Sequence, residues 1–82
     1  GPGGALKCYN CYRELRNGTC VPDAPPCTAQ PGESCYRQQI FAEHVVLYSS
    51  SGCIRNCKNV QAGVYIHHIN RCCSHKDLCN LS

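Results

Sequence analysis

Ten of the 82 residues are cysteine, and their order, C-x2-C-x8-C-x6-C-x7-C-x17-C-x3-C-x14-C-C-x5-C, constrains this chain more than any other feature. A domain of this length buries only about 60% of its unfolded surface, so a hydrophobic core alone leaves it marginal. Cysteine at roughly an eighth of the residues marks a disulfide scaffold instead. Five bridges are therefore expected. A bridge closing a loop of about 15 residues stabilises the fold by about 3 kcal/mol in the simple loop model, with nested loops giving less than the sum. Such bridges persist in oxidising compartments, which points to a secreted protein or one displayed on the cell surface.

The remaining composition narrows the class further. Eight Lys/Arg stand against five Asp/Glu, a net charge of +3, and the basic residues are spread from Lys7 to Lys76. A nucleic-acid surface needs basic residues clustered and interleaved with aromatics, so that class of partner is excluded. The sequence shows no apolar signal segment and no transmembrane run, as expected of a mature domain or an excised ectodomain; a lipid anchor is left open. Gly1-Pro2-Gly3-Gly4 reads as the remnant of a cleaved tag, leaving residues 5–82 as one domain. Asn17-Gly18-Thr19 matches an N-glycan acceptor, while Asn-Gly is also a favoured hairpin turn.

The long intervals between cysteines read as β-structure. Asn17-Gly18 suits a two-residue type I′ turn in a short first hairpin between Cys11 and Cys20. Pro22, Pro25, Pro26 and Pro31 remove backbone donors from the next stretch, which is expected to cross irregularly, with no central strand before Ser34. Tyr36 to Ile40 and Val45 to Ser49 form two β-prone runs separated by Phe41 to His44, a second and longer hairpin. Gly63 to Asn70, "GVYIHHIN", supplies one strand of a third projection. No window longer than ten residues carries an uninterrupted helical period, so the class is all-β.

The stretch "RCCSHKDLCN", Arg71 to Asn80, invites three chemical readings. Adjacent cysteines seldom bridge each other and point to opposite faces of a strand, so Cys72 and Cys73 should join different partners. Secreted phospholipases A2 also carry a double cysteine followed by His-Asp and another cysteine. Here Lys76 precedes Asp77 and His75 sits one place early, which re-aims any general base; a glycine-rich calcium loop is missing as well. A metal site built from Cys8, Cys11, Cys53, Cys57, His67, His68 or His75 would need thiolates that five bridges consume. His67 and His68 should project to opposite faces of a strand, and all four histidines, with His44, are expected on hairpin surfaces. A Ser-His-Asp triad would lie on mobile loops without a core to position it. The stretch reads as a disulfide knot, with no catalytic residues, no metal and no cofactor.

"LKCYNCY", Leu6 to Tyr12, and "CCSHKDLCN", Cys72 to Asn80, resemble the two ends of the three-finger domain of the lymphocyte antigen-6/urokinase receptor family. The likeness spans Leu6 to Asn80. It implies a snake-toxin-like fold, three hairpin loops on a five-disulfide base, with pairs Cys8–Cys35, Cys11–Cys20, Cys27–Cys53, Cys57–Cys72 and Cys73–Cys79. It also implies that the Asn80 amide is tucked into the base, making Asn80-Leu81-Ser82 a poor glycan site. "CTAQPGESC", "GCIRNCKNV" and "NRCCSHKDLCN" look like the secreted, caltrin-like members expressed in prostate, testis, epididymis and seminal vesicle.

The resemblance implies a non-enzymatic module whose loops bind an extracellular or cell-surface protein. The leading expectation is a secreted modulator of a receptor or sperm-surface protein in the male reproductive tract. The alternatives are a lipid-anchored ectodomain of the same fold, a venom-type toxin on the same scaffold and, in another class, a phospholipase-like enzyme. The second hairpin tip, with Ile40, Phe41, Glu43, His44 and Val45, is the expected contact, because Phe41 is the sole phenylalanine and lies far from the cysteines. Asn17 is the expected glycosylation site.

Overall fold

The β-prone runs and the cysteine spacing resolve into two small antiparallel sheets in the computed structural model, which describes residues 5–81. The tag expected at residues 1–4 lies outside the described residues, as does Ser82. The strands are β1 (Lys7–Cys8), β2 (Cys11–Glu14), β3 (Cys27–Thr28), β4 (Glu33–Ala42), β5 (Val45–Arg55), β6 (Val60–Gly63) and β7 (Ile66–Cys73). β1 pairs with β3, and the other five form one sheet in the order β2-β5-β4-β7-β6. No helix occurs among the described residues. Three hairpins project from one end: Cys11 to Cys20, β4 with β5, and β6 with β7. The chain is all-β and three-fingered.

The molecule measures 44 × 25 × 15 Å. Among the described residues the five-stranded sheet has no second full sheet to pack against, only the two-stranded pair of β1 and β3. The buried residues show what replaces it. The buried apolar set is Cys8, Cys11, Ala29 and Cys35, and no Leu, Ile, Val or Phe is fully buried among the described residues. Five bridges join Cys8 to Cys35, Cys11 to Cys20, Cys27 to Cys53, Cys57 to Cys72 and Cys73 to Cys79. Three of them interlock. The Cys8 sulfur lies within 4.8 Å of those of Cys27 and Cys53, and the Cys35 sulfur equally close to those of Cys73 and Cys79. The core is sulfur rather than hydrocarbon.

The turns differ from the sequence reading in each finger. In the first, Gly18 has φ +89° while Asn17 does not take a positive φ, which rules out the type I′ turn. The Gly18 N–H donates to Leu15 O (2.9 Å) and the Leu15 N–H to Thr19 O (2.8 Å), the three-residue loop that closes on a left-handed glycine. In the second, the four-residue loop shrinks to Glu43 and His44, because Phe41 and Ala42 continue β4 and pair with Val46 and Val45. Glu43 takes the positive φ (57°) that a glycine or asparagine would normally signal. A shift in register after Ile40 leaves Leu47 as a bulge in β5. In the third, the run from Gly63 to Asn70 is not one strand. It contains the turn, Val64-Tyr65, between β6 and β7. The proline-rich segment crosses irregularly but adds the two-residue β3, which pairs with β1, and β4 begins at Glu33, one residue before Ser34.

Candidate partner-binding surface

The C-terminal loop shows first what the base does with its polar residues. The Lys7 N–H donates to the Asp77 carboxylate (3.0 Å) and the Leu78 N–H donates to Lys7 O (2.8 Å), so residues 77–78 clip onto β1. Asn80, 3% exposed, accepts from the Tyr9 N–H (2.8 Å) and donates through Nδ2 to Tyr9 O (2.9 Å) and Tyr36 O (2.8 Å). Every hydrogen-bonding position of that amide except one oxygen lone pair is occupied by backbone. Asp77, one candidate in the catalytic reading, is a structural acceptor, and His75 is exposed beside it.

Charged side chains on the first finger hold it against the second. Arg37 Nη1 lies 3.2 Å from Glu14 Oε1, 3.5 Å from Ser51 Oγ and 3.5 Å from Leu81 O. The two charged side chains are 16% and 18% exposed, so solvent screens the pair less than it would a surface bridge. Arg13, next to Glu14 in β2, instead places its guanidinium 4.8 Å from the Tyr48 ring centre, a cation–π contact. The Tyr9 hydroxyl has its pKa pushed above the usual 10.0, first by burial and then by the negative charge and hydrogen bonding of Glu14, with Arg37 opposing. None of these contacts supplies a reacting group beside a substrate space. The groove next to the Cys73–Cys79 bridge holds about 190 Å³, and the larger hollows, about 540 Å³ beside β6 and β7 and about 410 Å³ between the first and second fingers, are open to solvent, unlike the concave sites that bury most of a small ligand. The sulfur clusters of the base are spent in bridges and offer no thiolate to a metal.

The most exposed run of consecutive apolar residues lies at the opposite end. Val64, Tyr65 and Ile66 are 83%, 84% and 65% exposed. Gly63 makes this turn: at φ +111°, an added Cβ would fall 2.4 Å from Ile66 O and 2.7 Å from His67 Cβ. The Glu43 N–H donates to Tyr65 O (3.2 Å), which ties the second fingertip to the third. Val45, Ala42 and Ile66 lie directly opposite one another across β5, β4 and β7, an apolar row on one sheet face. The next row, Val46, Phe41 and His67, lies on the other face, where the Phe41 and His67 rings stack with centres 5.2 Å apart and planes 8° from parallel.

The five residues expected at the contact thus divide. Glu43, His44 and Val45 are exposed, while Ile40 and Phe41 are half-buried strand residues, Phe41 packing on the neighbouring finger. Ile40 pairs with Tyr48. His44 and His75 are exposed, but His67 and His68 are half-buried in β7, a correction to the reading of all four as surface residues. The sequence reading missed Val64, Tyr65 and Ile66, and Gly63 was the signal that a turn began there.

A sulfur-cored base with three antiparallel fingers and apolar side chains at two joined tips defines a disulfide-rich three-finger protein. The chain matches the u-PAR/Ly-6 domain over residues 4–82 and belongs to that family. It is 37% identical to human prostate stem cell antigen over 81 residues, covering 99% of this chain and 69% of the human protein. It is 32% identical to the mouse prostate stem cell antigen, covering 99% of this chain and 64% of the mouse protein, so it spans about two thirds of these relatives. No solved structure matches the chain at a significant level. The family is of extracellular, generally non-enzymatic domains. These relatives support membership of the family and do not single out the caltrin-like members.

Proposed function

We propose that this domain is a non-enzymatic protein-binding module presented outside the cell, and that it engages a receptor or other surface protein with the joined tips of its second and third fingers. The observation that carries this reading is the cluster Val64, Tyr65 and Ile66, held against Glu43 by the Glu43 N–H to Tyr65 O bond. Exposed aromatic and aliphatic side chains on a rigid scaffold are the usual anchors of an interface. Glu43, His44 and Val45 complete the contact, and Ile40 and Phe41 support it from within the sheet. The likeness to prostate stem cell antigens, whose names mark them as antigens of a cell type, favours an anchored surface form over a freely secreted one. It also agrees with expression in the male reproductive tract.

The test is a screen of the oxidised domain against arrayed extracellular proteins, repeated with Val45→Ser and Ile66→Ser combined. The row they strip sits at the tips, so the binder found with the wild type should bind at least about tenfold more weakly, the consequence of losing one anchor. Equal binding by the variant would place the contact elsewhere on the molecule.

A further inference from the structure

The chain contains two Asn-x-Ser/Thr triplets, Asn17-Gly18-Thr19 and Asn80-Leu81-Ser82. The structure puts their asparagines in opposite environments. Asn80 is 3% exposed, and both Nδ2 hydrogens are donated, one to Tyr9 O and one to Tyr36 O. A sugar on that nitrogen would replace one of these hydrogens and require volume that the base does not have. Asn17 lies exposed at the end of the first finger. Its Oδ1 accepts from the Thr19 N–H (2.9 Å), while its Nδ2 donates to no protein group among the described residues. The neighbouring Gly18 stands in open space, with nothing within 4 Å of where a Cβ would be. A saccharide attached here meets solvent.

We propose that Asn17 is an N-glycosylation site of the folded protein and that Asn80 is not. The donor class is a lipid-pyrophosphate-linked oligosaccharide, the co-substrate of N-glycan transfer in an oxidising secretory compartment. The Asn17 Nδ2 attacks the anomeric carbon of the first sugar, forming a C–N bond. The C–O bond to the pyrophosphate breaks, the lipid pyrophosphate leaves with the bonding electrons, and the amide proton passes to a base of the transferase. Transfer to Asn80 before folding would remove one of the two Nδ2 hydrogen bonds and set a saccharide where the base is packed, so a chain so modified does not reach the folded state. The glycan covers the first fingertip and leaves the joined tips of the second and third fingers free.

The test expresses the full-length protein in mammalian cells and maps the glycopeptides of the folded fraction before and after peptide:N-glycosidase F. Enzymatic release should convert Asn17 to aspartate and leave Asn80 as asparagine. Asn17→Gln should lose one glycan, Thr19→Ser should keep it, and Ser82→Ala should carry the same glycan as the wild type. An unmodified Asn17 in the wild type overturns the proposal, and so does a glycan on Asn80 in the folded protein. Should Asn17→Gln fail to accumulate, the wild-type peptide map alone decides between these outcomes.

Discussion

The two ends of this molecule solve different problems with different residues. At the base, cysteine sulfurs interlock around Cys8–Cys35, Asn80 binds three backbone groups, and Asp77 and Leu78 clip the C-terminal loop to β1. At the tips, Val64, Tyr65 and Ile66 stand in solvent, and the Glu43 N–H to Tyr65 O bond extends the β4–β7 pairing into the turns. Order here does not depend on burying the large apolar side chains. Because covalent bridges supply the stability, those side chains can be left outside, where the proposed contact draws on them. The second finger carries the junction, since β4 pairs with β7 from Cys35↔Cys73 at the base to Ala42↔Ile66 at the tip.

The comparison breaks if the base proves dispensable. Replacing Cys73 and Cys79 together by serine should destabilise the domain by roughly 2–5 kcal/mol, the usual loss for a native bridge in a small secreted domain. Chemical denaturation of the refolded variant measures it, and a loss below about 1 kcal/mol would move the source of stability away from the sulfur core. Between the two ends, Phe41 tests where the boundary falls. Its half-buried ring stacks on His67, and such pairs contribute ~0.5–1.5 kcal/mol beyond their buried area. Phe41→Ala should therefore lower stability by about 2 kcal/mol, read from the same denaturation curves. A variant as stable as the wild type would return Phe41 to the contact surface as an anchor.

How much of this is legible without the structure follows the same division. The base is written in cysteine spacing and in the two end motifs; the bridge pairing travels with the family likeness, because spacing alone leaves many connectivities open. The tips are harder. Glu43 adopts a left-handed φ with no glycine to announce it, so the first strand of the second hairpin reads two residues too short at its tip end. In the third finger the flag is present, but Gly63 opens a run so rich in β-branched and aromatic residues that propensity hides the turn. The contacts Arg37 with Glu14 and Arg13 with Tyr48 join different strands, and the register that brings them together is not contained in either segment.

A smaller effect sharpens the electrostatic side of the base. The Tyr9 hydroxyl keeps its proton to higher pH in the folded chain than the ordinary 10.0, because partial desolvation and the nearby Glu14 carboxylate disfavour the phenolate. Below about pH 10 the group is protonated in folded and unfolded chains alike, and its contribution is fully present. As pH rises through the folded value, the unfolded chain ionises first and stability falls. Tyr9→Phe should flatten this alkaline decline, measured as the unfolding midpoint from pH 9 upward; an unchanged slope would show that Tyr9 is not the titrating group.

Tyr65→Ala tests, on one sample, whether stability resides in the sulfur base and recognition in the joined tips. Tyr65 is 84% exposed and tied to Glu43 only through its backbone carbonyl, which the substitution leaves in place. The unfolding midpoint should stay within about 4 °C of the wild type, the equivalent of ~0.5 kcal/mol at a surface site. Affinity for the partner found by the extracellular screen should fall at least about tenfold, as for an interface anchor. A variant that unfolds well below the wild type while binding its partner undiminished would contradict the account.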